Sequence, residues 1–383
     1  MNNRSKSGLT SYYAGFLFDF LPINTILSLS KGDRMKFPGI KTLPVVTLFL
    51  FLLLSAVALS CSNNNPGSAS LSDETFNRAD GQSAPSRVAE GFIGSIATTC
   101  SEDVVKYGSF LFVADGPAGI KVVDISSKSN PVLAASVRTT YAIRVYVHGN
   151  YLYVCDGPAG LKVFDISDPV HPAMTYSVDT EWSTSCAFYE NYLYMGDYFD
   201  GWKVFDITDP STPVLVTHMY NVHGRDIAIL DNKVLLSDSA YGIVAYQIDD
   251  PTAPTWVFSN VDWVGNYEDI VGYNGYAITS RNDEHSRLMV WYVDNLLQAG
   301  HASSKMSARF IDGMTSFESN LIVACGEEGI IGYSMLGLPN LWQNFSLDTP
   351  GYARRAKTDG SYLYVADMNS VRIYEYNPVG CGS

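Results

Sequence analysis

The residues able to do chemistry in this 383-residue chain recur at fixed intervals. Aspartates stand at Asp115, Asp156, Asp197 and Asp238, each 41 residues after the last, and Gly119, Gly160, Gly201 and Gly242 keep the same step. A carboxylate repeated in this way either holds a cation or ties down a turn. Calcium loops gather several oxygen ligands along one loop, as in an Asp-x-Asp-x-Asp run, and no such run occurs. The turn reading, in which each carboxylate accepts N–H bonds within its own turn, needs only the one residue. A second charged position shares the period: Asp103, Arg144, Ser185, Asp226, Asp269, Met314 and Arg355, preceded by Glu102, Ile143, Thr184, Arg225, Glu268, Gly313 and Arg354. Charges of mixed sign at one repeat position either grip a polar ligand or pair with one another and hold the copies together. The candidate ring is therefore Asp103, Arg144, Asp226, Asp269 and Arg355. A third set is aromatic and imidazole-bearing: Tyr141, Trp182, His223, Trp263 and Tyr267, with Tyr198, Phe199 and Tyr241 nearby in the period.

The repeat itself positions these groups. Leu111–Asp124, Leu152–Asp165 and Leu193–Asp206 align without gaps, Leu235–Gln247 is one residue shorter at its start, and Pro131, Pro172, Pro213 and Pro254 follow in step. Weaker copies begin at Tyr276, Leu321 and Tyr362, the first of them with an insertion at Asn282–His285. Each copy holds four short runs rich in Val, Ile and aromatic residues, broken by Gly, Pro, Asn and Asp. Those are strands and turns. In the second copy they read as strand a Ile143–Val147, strand b Tyr151–Cys155, strand c Leu161–Asp165 and strand d near Ala173–Val178. Four strands per period of about 40 residues is a propeller blade. The expected fold is an all-β, seven-bladed propeller of four-stranded blades. The last copy ends after three strands, so a strand near Val88–Thr98 is expected to supply its fourth and close the ring, removing two free sheet edges. Strand a is innermost, which puts the charged ring at the mouth of a central channel. The aromatic set falls in d–a and b–c loops on one face, where exposed rings make contacts with protein or glycan and buried ones pack between blades.

The runs Ile120-Lys-Val-Val-Asp124, Leu161-Lys-Val-Phe-Asp165 and Trp202-Lys-Val-Phe-Asp206, with Asp165–Pro169 and Asp206–Pro210 after them, resemble the LVIVD repeat of bacterial surface and secreted proteins. The resemblance spans about residues 101–260, and 261–378 more loosely. The first copy has Ser127-Lys128 where the family has Asp-Pro. The resemblance implies a seven-bladed propeller, often lipid-anchored, and no agreed activity.

Outside the repeats, residues 42–59 are uncharged and strongly apolar, with Lys36 and Lys41 before them and Ser60-Cys61 after. A basic start, an apolar core and small residues before a cysteine make an export signal. Ala58-Leu59-Ser60-Cys61 resembles a bacterial lipobox, with its Leu one place late. That makes Cys61 the expected lipidation site and mature N-terminus, with an ordinary cleaved signal or an uncleaved anchor as the alternatives. Residues 1–34 read as an upstream extension before a start at Met35, 35–60 as the signal, 61–86 as a polar tether too poor in apolar residues to pack, and 87–380 as the propeller. The formal charge is −14, and residues 1–60 hold six Lys/Arg against two Asp/Glu, so the excess acid lies in the body. Such a body repels phosphate backbones and argues against nucleic-acid binding.

Enzyme signatures are missing. There is no Gly-x-Ser-x-Gly, no sialidase-type Ser-x-Asp-x-Gly-x-Thr-Trp box, and no metal spacing among the six histidines. No catalytic residue, metal site or cofactor is assigned. Of six cysteines, Cys155, Cys186 and Cys325 fall in strand runs as small apolar residues. Cys100 and Cys381 flank the closing blade at opposite ends of their strands, which argues against a bond between them. The expectation is a monomeric binding module in the bacterial envelope, at the outer membrane or cell surface, anchored through lipid on Cys61 and meeting an unknown protein or glycan. An exported enzyme with its site at the channel mouth, or a structural scaffold of the envelope, are the other readings.

Overall fold

The computed structural model describes residues 91–376, apart from residue 221 and segments 239–241, 261–266, 283–285, 294–299 and 307–309. These residues form seven four-stranded antiparallel sheets. Blade 1 consists of strands Asp103–Tyr107, Phe110–Ala114, Ile120–Asp124 and Val132–Val137. Blade 2 is Arg144–His148, Tyr151–Cys155, Leu161–Asp165 and Ala173–Val178. Blade 3 is Ser183–Tyr189, Tyr192–Asp197, Gly201–Asp206 and Val214–Met219. Blade 4 is Asp226–Leu230, Lys233–Asp238, Gly242–Gln247 and Thr255–Asn260. Blade 5 is Tyr267–Tyr273, Tyr276–Arg281, Arg287–Tyr292 and Gly300–Met306. Blade 6 is Gly313–Phe317, Asn320–Ala324, Ile330–Ser334 and Trp342–Leu347. Blade 7 contains Arg355–Thr358, Tyr362–Ala366 and Met368–Glu375, and its outer edge is occupied by Phe92–Ser101, antiparallel to Met368–Glu375 with Ile96 opposite Val371. The innermost strand a of each blade packs on the next, and that of blade 7 packs on that of blade 1. This is the all-β, seven-bladed propeller of four-stranded blades.

Alternation along each strand drives the assembly. Odd and even side chains point to opposite faces of a blade, and both faces meet a neighbouring blade, so both are apolar. One cluster joins blades 2 and 3 through Tyr153, Leu161, Cys186 and Phe205. Another joins blades 7 and 1 through Val371, Ile373, Val104 and Val123. Outer strands lose this cover. Leu133, Met174, Leu215 and Trp256 occupy one register on four successive outer strands and are all exposed.

The repeated aspartate turns out to bind a different loop from the one its sequence position suggests. Asp156 is fully buried and accepts the N–H groups of Thr140 (2.9 Å) and Tyr141 (2.7 Å) from the loop that enters its blade, not from its own turn. Asp115 does the same with Thr99 and Cys100, and Asp197 with Glu181 and Trp182. The lysine of each c-strand motif neutralises the charge: Lys121 at 2.7 Å from Asp115, Lys162 at 3.8 Å from Asp156 and Lys203 at 2.9 Å from Asp197. In blade 7 Arg372 replaces the lysine, 2.9 Å from Asp367. This clasp ties the b–c turn to the d–a loop and uses the carboxylate's lone pairs. The glycine that follows has its own reason. Gly160 adopts φ +72°, and a Cβ there would collide with the carbonyl oxygen of Val178.

Cys155, Cys186 and Cys325 are free and buried. Cys100 is disulfide-bonded to a partner outside the described residues. The expected tether, export signal, Cys61, Trp263, Tyr241 and Cys381 lie outside the described residues, as does most of the Asn282–His285 insertion.

Candidate functional site

The first channel-facing residue of each strand a sits at equivalent strand pairings. Asp103 lies opposite Ala114, Arg144 opposite Cys155, Asp226 opposite Ser237 and Arg355 opposite Ala366. The same pairing in blade 6 is Gly313 opposite Ala324. The ring therefore holds Gly313 where the sequence alignment put Met314, and the preceding position holds Asp312 where it put Gly313. The sixth copy is degenerate enough that the alignment slipped by one residue. The glycine has a steric role, because a Cβ at Gly313 would press on the Arg355 guanidinium.

The structure brings the five charged ring residues together across the channel. Arg144 reaches from blade 2 to Asp226 (3.0 Å) and Asp269 (2.7 Å) in blades 4 and 5. Arg355 holds Asp269 from the other side at 3.0 Å and donates to the Met314 carbonyl at 3.2 Å. Its Nε lies 3.9 Å from Asp103. Each aspartate also accepts a backbone N–H from the next blade: Val145 to Asp103 (3.2 Å), Ile270 to Asp226 (3.1 Å) and Met314 to Asp269 (2.5 Å). All five side chains are at most 13 % exposed. Burial raises the Asp226 carboxyl to about 6, against the pull of Arg144. Burial acts on Asp269 too, but Arg355 and Arg144 outweigh it and hold that carboxyl well below the ordinary range. Further pairs lie one residue nearer the mouth. There Arg354 pairs with Asp312 (2.9 Å) and Glu102 (3.4 Å), and Arg225 pairs with Glu268. Burial again raises Asp312, to about 6.

These pairs seal the channel on the d–a loop side. On the other side of the ring a cavity of about 240 Å³ remains. Its wall is Asp103, Arg144, Asp226 and Arg355 at one end and later strand-a residues such as Tyr146, Ala228, Thr315 and Lys357 along its length. It runs from the ring toward the a–b turns.

The aromatic candidates divide. Tyr141 is 5 % exposed, with its hydroxyl donating to Glu102 at 3.1 Å, and Tyr267 is wholly buried against Trp291. Both are packing residues. Trp182 and His223 reach the surface in blades 3 and 4. They belong to one group of rings: Trp182 lies edge-on to Phe199 at 6.4 Å, Phe199 to Tyr198 at 4.9 Å, and Tyr198 lies 6.0 Å from His223. Arg225 covers the Tyr198 ring at 5.0 Å. Phe199 is 43 % exposed. No cluster of His, Cys, Asp and Glu able to hold a metal occurs among the described residues.

The LVIVD repeat matches residues 100–139, 140–180, 183–221 and 350–373. The chain carries LVIVD repeats. The four matches fall on blades 1, 2, 3 and 7, which are the blades that carry the aspartate–cation clasp. The LVIVD signature is thus the sequence trace of that clasp. No curated protein matches this sequence. Among solved structures, the LVIVD propeller is similar to the WD40 β-propeller domain of Doa1, with 12 % identity and a TM-score of 0.58 over 75 % of this chain and 97 % of that one. It is also similar to the computationally designed Ika8 protein (12 %, 0.51, 76 % and 99 %) and to BamB from Moraxella catarrhalis (10 %, 0.51, 72 % and 82 %). At these identities the likeness is one of fold.

The positions missed in the sequence were Asp312, displaced by the slipped alignment, and the second channel tier. That tier is two residues along each strand a: Val105, Tyr146, Ala187, Ala228, Val271, Thr315 and Lys357. Period-two alternation applied to the same alignment finds it.

Proposed function

We propose that this propeller is a non-enzymatic binding module, exported and held at a bacterial envelope by lipid on Cys61, that grips a protein or glycan partner on its loop-bearing face. The observation that carries the reading is the cluster of Trp182, Tyr198, Phe199 and His223 on blades 3 and 4. Rings grouped on a surface and fixed by neighbours offer large contact area at little entropic loss, which is how interface anchors work. The charged ring gives less support to an enzyme there. Asp269 receives two donors on each oxygen and Asp226 one on each, all from guanidinium or backbone N–H groups, so both carboxylates are held in structural pairs. The apolar run at 42–59 and Ser60-Cys61 support export and lipidation.

Two experiments test it. Pull-down with the full chain should lose its partner on Trp182→Ala/Phe199→Ala and keep it on Trp256→Ala, which alters an exposed ring on an outer strand. Equal capture by both variants removes the binding face. Metabolic labelling with a fatty acid should tag wild type and leave Cys61→Ser unlabelled. A wild-type chain without label removes the anchor and leaves the binding face standing.

A further inference from the structure

The cavity on the far side of the charged ring holds polar groups that the fold does not use. Lys357 extends into it from blade 7, and its ammonium forms no ion pair or hydrogen bond among the described residues. Thr315 on blade 6 lines the same space, and its hydroxyl is buried with no partner. Tyr146 on blade 2 lines it too, with its phenol likewise unpaired. All three stand at one level of the channel, two residues past the ring on their strands. The other four residues of that level, Val105, Ala187, Ala228 and Val271, are apolar. The nearest carboxylates, Asp103 and Asp226, are engaged in the ring above. A buried polar group without a partner costs about 1–3 kcal/mol, and more when charged. That cost falls on the buried Thr315 hydroxyl, and with the half-buried Lys357 and Tyr146 beside it on the same wall the three make a donor site.

We infer that this cavity binds a small monocarboxylate, its two oxygens received by Lys357, Tyr146 and Thr315 and its short apolar body lying against Ala228 and Val271. Size and charge choose the class. At about 240 Å³ the space lies below the roughly 300 Å³ at which drug-sized pockets begin. Lys357 is the one charged side chain at that level, and both hydroxyls can donate, so the level suits an anion. The ring above carries three carboxylates against two guanidiniums, and Lys357 brings the whole cluster to neutrality. A monoanion takes the cluster to a net charge of one and a dianion such as phosphate to twice that, so the monoanion is the less opposed. The opening faces the a–b turns, away from the aromatic cluster, so this site and the proposed binding face are independent.

The test is calorimetric titration of the full chain, in detergent, with butyrate, inorganic phosphate and butylammonium. Butyrate is expected to bind in the millimolar range, ahead of both comparators. Lys357→Met should weaken it by at least about tenfold, a loss of roughly 1.4 kcal/mol. Lys106→Met, which removes a cation paired with Asp359 outside the cavity, should leave it unchanged. Tyr146→Phe and Thr315→Val each delete one hydroxyl with little change of shape, and each should weaken butyrate severalfold. They carry the test if Lys357→Met does not fold. Absence of butyrate binding, a preference for phosphate or butylammonium, or unchanged affinity in the folded cavity variants overturns the inference.

Discussion

Asp269→Ala should be among the most damaging single substitutions in this propeller. Its carboxylate accepts from Arg144 (2.7 Å), from both terminal nitrogens of Arg355 (3.0 and 3.1 Å) and from the Met314 N–H (2.5 Å). It links strands of blades 2, 5, 6 and 7 at a point 2 % exposed. Truncation leaves two largely buried guanidiniums facing each other with one anchor fewer each. Removing one partner of a buried pair costs about 3–5 kcal/mol, and here the orphaned partner is double, so the upper end applies. For a domain of this size each kcal/mol moves the melting temperature by about 2–4 °C, which gives a drop of roughly 10 °C or more. The assay is thermal melting by circular dichroism, with Lys106→Met as reference. That variant breaks a pair 33 % and 23 % exposed, worth no more than about 1 kcal/mol. Replacing the whole ring together, Asp103→Leu, Asp226→Leu and Asp269→Leu with Arg144→Met and Arg355→Met, should recover most of the loss, since apolar substitution of a whole buried network is often neutral. An Asp269→Ala melt within about 2 °C of wild type would mean that the ring contributes nothing to closure. It would then have to be retained for a ligand.

Three further outcomes follow from the same structure. Asp226 and Asp312 have carboxyls near 6 in the folded chain against an ordinary 3.8. The folded state therefore binds more protons than the unfolded state between those values, and stability should fall as pH rises from about 4 to about 6. Asp226→Asn should flatten that slope in melts taken across the window, and an unchanged slope refutes the assignment. Gly160→Ala combines a positive φ with a collision against the Val178 carbonyl and should cost roughly 3 kcal/mol or more. Gly149→Ala, at φ +58° with nothing within 4 Å of the new methyl, should cost only about 1 kcal/mol, and equal losses in denaturant titrations would count against the steric reading. Removing residues 92–101 strips the outer strand from blade 7 and exposes a sheet edge; a soluble, cooperatively melting product would show that this strand is dispensable.

Most of the frame was legible because its signals are local. Turn glycines, the Asp and Lys of the c-strand motif and period-two alternation each act within a few residues, so the 41-residue repeat revealed blade number, strand order and the channel position of Asp103, Arg144, Asp226, Asp269 and Arg355. What failed were statements about partners distant in sequence. The aspartates of the b–c turns bond to a loop 15 or 16 residues upstream, which no local rule for carboxylates in turns anticipates. Whether an aromatic in a d–a loop is exposed depends on the neighbouring blade. Tyr141 finds Glu102 and Tyr267 finds Trp291, while Trp182 lies against the exposed Phe199. In the sixth copy, with Cys325 where other blades carry the clasp aspartate, the alignment had no charged anchor and slipped past Asp312.

The clasp changes in blades 4 to 6, the three blades outside the repeat matches. Blade 4 keeps Asp238 but has Val244 in place of the lysine; blade 5 has Arg281 and blade 6 Cys325 in place of the aspartate. The same three blades supply Ile227–Ile229, Ile270–Gly272 and Met314–Ser316 to the cavity wall. Blade 4 keeps the aspartate's bond to the d–a loop, accepted from the His223 N–H, and lacks only the lysine, whereas blades 5 and 6 have no carboxylate at that position; a charge-assisted hydrogen bond of this kind is worth about 1.5–3 kcal/mol. Blades 1, 2, 3 and 7 bear the repeat signature and hold the ring's two arginines and one of its aspartates, whereas blades 4 and 5 provide Asp226 and Asp269, the acids that receive them. The ring thus fastens the regular half of the propeller to the divergent half. This fastening acts at the axis, and blades 5 and 6, which lack the clasp carboxylate at the loop-bearing face, are bound to their neighbours there through Asp269 and the Met314 backbone.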